Sequence, residues 1–332
     1  MIHEIPDNTT TTFKMTSCEG TDGVDWATFM VLGTNKKLGK IVAFVLVALV
    51  MIIGFGWVFA VPPELKTIIA FSRWHDAHVR ASGYVERQPA GTRVYWEEFG
   101  TPDGPPVVVL PAGLCTIAVM GGQIEPLAAE SYRVIAIDAR GVGPSSNTAP
   151  GLTYETMSDD VAGVMDALKI TRADIVGWSD GGNLGLDLAR RHPDRVRKVV
   201  AFGANHTPAP DGEDPAMVKE FKEAKPDGAM FWPIRRMYEK SSPTPEKWPV
   251  LFEQERTMAF TQPNWSLEQL GFIHAPVLLI NGEHDLVLRS YAIEMKNAIP
   301  GARLEIIPGG THEVPLAQPD AVNRILLRFL KQ

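Results

Sequence analysis

Cysteine is almost missing from this chain. Cys18 and Cys115 are the two present in 332 residues, too few for a disulfide framework. Cys18 also lies upstream of the apolar stretch described below, not where a lipoprotein acceptor would sit. A basic excess is missing as well: 32 Lys and Arg face 39 Asp and Glu, a net charge of −7. An acidic chain without a basic run or an aromatic platform is not drawn to nucleic acid or to an anionic membrane surface, which argues against both as partners. The dinucleotide fingerprint lacks its last glycine: Gly141-Val142-Gly143 follows a strand-like run, but Ser146 stands in the final position. Glu283, His284, Asp285, His312 and Glu313 suggest metal ligands by composition alone. Their positions are better explained by a different chemistry, so no metal and no cofactor is expected.

What is present begins with a long uncharged run, Ile41 to Val61. As a helix it would extend roughly 30 Å, the thickness of a bilayer core. The sequence therefore predicts one transmembrane helix or signal anchor at 41–61, with the lipid bilayer as a partner. Lys36, Lys37 and Lys40 precede the run, while Lys66, Arg73 and Arg80 follow it more sparsely among Glu64 and Asp76. That bias favours a cytoplasmic N-terminus and a single-pass protein whose large C-terminal domain lies on the non-cytoplasmic side. The alternative is a protein secreted after signal-peptide cleavage near Val58-Phe59-Ala60. Residues 1–40 form an N-terminal segment, cytoplasmic or partly an upstream extension if Met30 is the start, and 62–82 read as a juxtamembrane linker with a short amphipathic helix.

Beyond residue 83, apolar runs alternate with helical patterns. Strands are expected at Tyr84–Glu86, Arg93–Glu98, Val107–Leu110, Arg133–Ile137, Ala173–Val176, Arg197–Phe202, Val277–Ile280 and Leu304–Ile307. Helices fit the stripe Met157, Val161, Val164, Met165 and Leu168, the segment Asn183–Arg191, and Pro319 to about Lys331. Alternation of this kind implies an α/β fold, a mostly parallel sheet with helices on both faces. Residues of about 207–270 interrupt it with prolines and bulky aromatics, and read as a helical lid over the sheet edge where such folds bind ligands.

The chemistry centres on Gly177-Trp178-Ser179-Asp180-Gly181, a Gly-x-Ser-x-Gly pattern with a strand before it and a helix after it. A serine hydroxyl is a poor nucleophile at neutral pH and needs a neighbouring base and donors for the developing oxyanion. The best-placed base is His312, in a glycine-rich loop after a buried strand. The acid candidate is Asp285, after the strand before that, with Glu283 and His284 as rivals by proximity. Oxyanion donors are expected from the amides of Leu114 and Asp180. The loop Asp138-Ala139-Arg140-Gly141-Val142-Gly143-Pro144-Ser145 completes the pattern.

From about Val85 to the C-terminus these four loops resemble the α/β-hydrolase superfamily. Ala112-Gly113 replaces the His-Gly that many members carry in the oxyanion loop. The resemblance implies an α/β-hydrolase domain over 83–332 and a serine hydrolase of small carboxylic esters, working through an acyl-enzyme. Amide or lactone cleavage and cofactor-free peroxidation by the same triad are the alternatives, with a non-catalytic binding module behind them. Gly177-Trp178-Ser179-Asp180-Gly181-Gly182 with Phe202-Gly203-Ala204-Asn205 is further similar to the biphenyl-hydrolase-like (valacyclovirase) esterases of amino-acid esters. That similarity implies a substrate-binding role for Asp180, which would meet an ammonium group, with Trp178 beside it.

Overall fold

A computed structural model of the protein describes residues 62–332. A helix, α1 (Pro63–His78), comes first and is followed by strands β1 (Ala81–Arg87), β2 (Thr92–Gly100) and β3 (Pro106–Leu110). Helix α2 (Gly121–Ala129), β4 (Arg133–Ile137), α3 (Tyr154–Ala167), β5 (Ala173–Trp178), α4 (Asp180–Arg191) and β6 (Val196–Phe202) alternate behind them. The eight strands form one sheet in the order β1-β2-β4-β3-β5-β6-β7-β8, completed by β7 (Val277–His284) and β8 (Arg303–Thr311). The two pairings of β2 are antiparallel, and all pairings from β4 through β8 are parallel.

The central strands read as continuous apolar runs because both of their faces are covered. Val108, Ile135, Ile175, Val199 and Leu279 share one core with Val161, Val164 and Leu184 of α3 and α4. Val107, Val109, Val134, Val176, Val200 and Leu278 share another with Phe71 of α1 and Ile124 of α2. To that second core the closing helix adds Leu326.

Between β6 and β7 the chain forms α5 (Ala209–Gly212), α6 (Pro215–Glu223), α7 (Trp232–Ser241), α8 (Trp248–Thr261) and α9 (Leu267–Leu270), with no strand among the described residues of this insert. Its aromatic residues make a small core of their own, with Phe231 and Trp248 against Phe252. Helix α10 (Arg289–Ala298) links β7 to β8, and α11 (Val314–Ala317) and α12 (Pro319–Leu330) end the chain.

The expected fold is corrected in one respect. No helix among the described residues is long and apolar enough to cross a membrane, and the proposed span at 41–61 lies outside them. The longest described helix, α1, has 16 residues, about 24 Å at 1.5 Å per residue, short of a bilayer core. It also carries Glu64, Lys66, Arg73 and Asp76, and it lays Phe71 against Phe99 of the sheet. The single-pass placement, its secreted alternative and the bilayer as a partner rested on that span and are withdrawn with it.

Candidate active site

Ser179 follows β5 and caps α4 with φ 54° and ψ −117°, a conformation that costs a non-glycine residue about 1–3 kcal/mol and persists only where its surroundings enforce it. They do so here. The Ser179 amide donates to the Phe202 carbonyl at 2.7 Å, and its own carbonyl accepts from the Asn183 amide at 3.0 Å. The turn is tight enough that a Cβ on Gly181 would overlap the Leu110 carbonyl at the end of β3. The glycine pattern is thus a packing requirement of strand against helix.

His312 and Asp285 arrive from the ends of β8 and β7. The imidazole Nδ1 lies 2.8 Å from an Asp285 oxygen, and the Gly282 and Val287 amides each donate to that carboxylate at 3.1 Å. Burial opposes the Asp285 charge, but the His312 imidazole and the two amides outweigh it and hold the carboxyl below its usual range. Burial likewise opposes charge on His312, and Asp285 outweighs it, so the imidazole sits above its usual value. With Nδ1–H directed at Asp285, Nε2 is the nitrogen left for a substrate proton.

The rivals are placed elsewhere. Glu283 is exposed and accepts from the Gly309 amide, and His284 is exposed. The His312 ring packs over Gly203, which directly follows the Phe202 that holds Ser179. Among the described residues no hydrogen bond engages the Ser179 hydroxyl, an arrangement common in unliganded sites of this kind. Trp178 is buried; its Nε1 donates to the His312 carbonyl at 2.9 Å, and its ring lies 5.9 Å from the imidazole.

Leu114 has φ 60°, in the loop leaving β3. Neither its amide nor that of Asp180 donates to a main-chain carbonyl among the described residues, and Asp180 opens a twelve-residue helix whose dipole favours negative charge there. The Asp138 loop braces this region. An Asp138 oxygen accepts from the Ile117 amide at 2.7 Å, and Arg140 is buried in a two-pronged pair with Asp160, both bonds 2.7 Å.

Three polar residues at the site had escaped the sequence. Tyr154, at the start of α3, donates its hydroxyl proton to Asp180. Its oxygen accepts from Asn183 at 3.1 Å, and Asn183 is in turn locked to Asn205. Glu255, on α8, meets Asp180 beneath Gly113, where a Cβ would overlap both carboxyls. Burial first, and the Asp180 charge second, push the Glu255 carboxyl well above its usual range. Glu213, between α5 and α6, is pushed up to about 7, mainly by burial; His312 opposes the rise and Asp180 and Asp285 add to it. No Lys or Arg side chain pairs with Asp180, Glu255 or Glu213 among the described residues. Nor, among them, is any group of three His, Cys, Asp and Glu side chains arranged to hold a metal ion.

Tyr154 lies just ahead of the apolar stripe of α3, where a tyrosine is not distinguishable in sequence from a core residue. Glu255 and Glu213 sit in the insert, where no local pattern indicates which carboxyl faces the sheet edge.

The chain is similar to known proteins in sequence and in fold. The alpha/beta hydrolase family profile matches residues 107–325. The serine hydrolase BPHL of Homo sapiens is 28% identical over 255 residues, covering 73% of this chain and 84% of that protein. Among solved structures, Est816, described as an N-acyl homoserine lactone degrading enzyme, is 26% identical with a TM-score of 0.61, covering 74% of this chain and all of that one. The carboxylesterase CesB (YbfK) of Bacillus subtilis aligns with a TM-score of 0.60 at 22% identity, over 81% of this chain and 98% of that one.

Proposed function

The chain belongs to the alpha/beta hydrolase family, and on that footing we propose that it hydrolyses small carboxylic esters, with Ser179 as nucleophile, His312 as base and Asp285 as the acid that orients the base. The observation that carries this reading is the convergence of three strand ends. A strained serine after β5 lies beside the Gly203 turn, over which packs an imidazole already bonded to a carboxylate.

The roles follow from the geometry. His312 Nε2 takes the Ser179 proton as the hydroxyl attacks the ester carbonyl, and Asp285 stabilises the imidazolium that forms. The amides of Leu114 and Asp180 receive the oxyanion, and each such donor contributes about 3–4 kcal/mol to lowering the barrier. His312 then returns the proton to the leaving alcohol, and water releases the acyl group by the same steps in reverse order.

Trp178 supports the base loop through the His312 carbonyl. The insert of about 207–270 serves as the lid. Asp180, the residue that follows the nucleophile, favours esters bearing an α-amino group, as the likeness of the Gly177–Gly182 elbow to the esterases of amino-acid esters implies.

Replacing Ser179 with Ala tests the assignment. The variant should lose ester turnover by about four orders of magnitude or more and should no longer be labelled by a fluorophosphonate. Full turnover in Ser179→Ala would refute it.

A further inference from the structure

Glu255 is 7% exposed. A carboxyl this deep is ordinarily met by an arginine, a lysine or several amides. Among the described residues no N–H or hydroxyl group donates to it. Its neighbour is a second carboxyl, that of Asp180, and the two converge beneath Gly113 at the residue next to the nucleophile. Tyr154 closes the other side of Asp180. The pair therefore shares a proton where a protein would normally supply a cation, and it is built on the half-buried residue that follows Ser179.

We propose that Glu255 is a specificity-determining residue that exchanges its proton for the substrate's positive charge. A substrate ammonium entering beside Ser179 takes the position of the proton between Glu255 and Asp180. Both carboxylates then hold the ammonium, and the proton leaves to solvent, so one positive charge enters and one departs. This rests on the ester-hydrolase reading and adds, on the insert, a second carboxylate to the ammonium preference already given to Asp180. It also makes the insert part of recognition, because Glu255 reaches the site on α8 while Asp180 belongs to the sheet edge.

The titratable groups around the pair are few. Tyr154 on α3 is driven well above its usual value and Cys115, in the loop after β3, up to about 12, both mainly by burial, so neither supplies a proton near neutrality. Glu213, at the start of the insert, feels the charges of both Asp180 and His312. A proton released on binding near pH 6 is thus assigned to Glu255 when its glutamine variant no longer releases it.

Two measurements test the exchange with alanine benzyl ester and benzyl propionate, which differ in the amino group. The preference for the amino ester in kcat/KM should fall at least tenfold in Glu255→Gln, because glutamine keeps the shape but offers no second charge. Calorimetric binding of alanine benzyl ester to Ser179→Ala at pH 6, in buffers of contrasting ionisation enthalpy, should show release of about one proton. That release should vanish in Ser179→Ala/Glu255→Gln.

An unchanged preference, or binding without proton release, overturns the exchange while benzyl propionate turnover leaves the esterase reading standing. Turnover of neither ester by the wild type refutes the esterase reading and the exchange together. If Glu255→Gln does not fold, the proton count on Ser179→Ala decides alone.

Discussion

Replacing Glu213 with glutamine should make the protein more stable above neutrality, by an amount the structure sets. The segment carrying Glu213 is fixed beside the acid loop: Glu213 bridges Val287, the Asp214 amide donates to Leu286 at 2.8 Å, and the Leu288 amide donates to Gly212 at 2.9 Å. The backbone that carries the side chain is thus fixed by main-chain contacts on both sides of it. Its carboxyl is moved from 4.5 to about 7, by burial first, with His312 opposing and Asp180 and Asp285 adding.

A raised carboxyl means that the folded state binds the proton more tightly than the unfolded chain does. The stability linked to Glu213 is therefore fully present below 4.5 and is lost as pH rises to about 7. At about 1.4 kcal/mol per pH unit the whole loss is about 3 kcal/mol. Glutamine has the same shape and does not ionise, so it escapes the loss. Urea denaturation of wild type and Glu213→Gln from pH 4.5 to 8 should show the variant gaining on the wild type steadily, up to about 3 kcal/mol, with equal slopes. The Asp285–His312 pair contributes its own pH dependence to both proteins, and only the part that Glu213 itself induces in His312 is left in the difference. A difference that stays flat across this range would refute the reasoning.

Two further outcomes follow from the same geometry. In the wild type kcat/KM should rise with pH through a limb above 6.5, because His312 acts when neutral and Asp285 holds its proton on; Asp285→Asn should move that limb lower and cost about four orders of magnitude in kcat, and a limb unmoved by the substitution would separate Asp285 from the base. Gly181→Ala should destabilise the fold by about 3 kcal/mol or more, since its new methyl meets the Leu110 carbonyl, which is main chain and cannot turn aside; a thermal midpoint equal to that of the wild type would show that the elbow is looser than described.

The parts of the site visible in the sequence were those that a strand or a glycine announces. The central strands fall on apolar runs, because burial on both faces leaves no polar residue to interrupt Val107–Leu110 or Val277–Ile280. Ser179 and Asp285 each follow such a run, and His312 follows the edge strand β8, which was expected to be buried and is instead mostly exposed; the three strand ends still indicated a common edge before any distance was known. Which of Glu283, His284 and Asp285 turns toward His312 is decided by the loop amides of Gly282 and Val287, and neighbouring letters do not encode that choice. Glu255 and Glu213 were hidden for a different reason. Their meaning comes from contacts with residues far away in the chain, and an acidic residue on a helical insert looks the same whether it faces water or a nucleophile. The apolar run at 41–61 shows the converse, a strong local pattern that led to a span absent from the described helices.

The wide separation of the site's members has a consequence for how the protein acquires activity. Trp178 and the His312 carbonyl it supports are 134 positions apart, and β6 reaches β7 across the entire insert, Val199 pairing with Val277. Contacts of such long range close late, after the entropy of the intervening loops has been given up. A chain refolding from denaturant therefore gains helical signal before it gains any catalytic competence. Recovery of turnover marks the moment at which the last two parallel strands join the sheet.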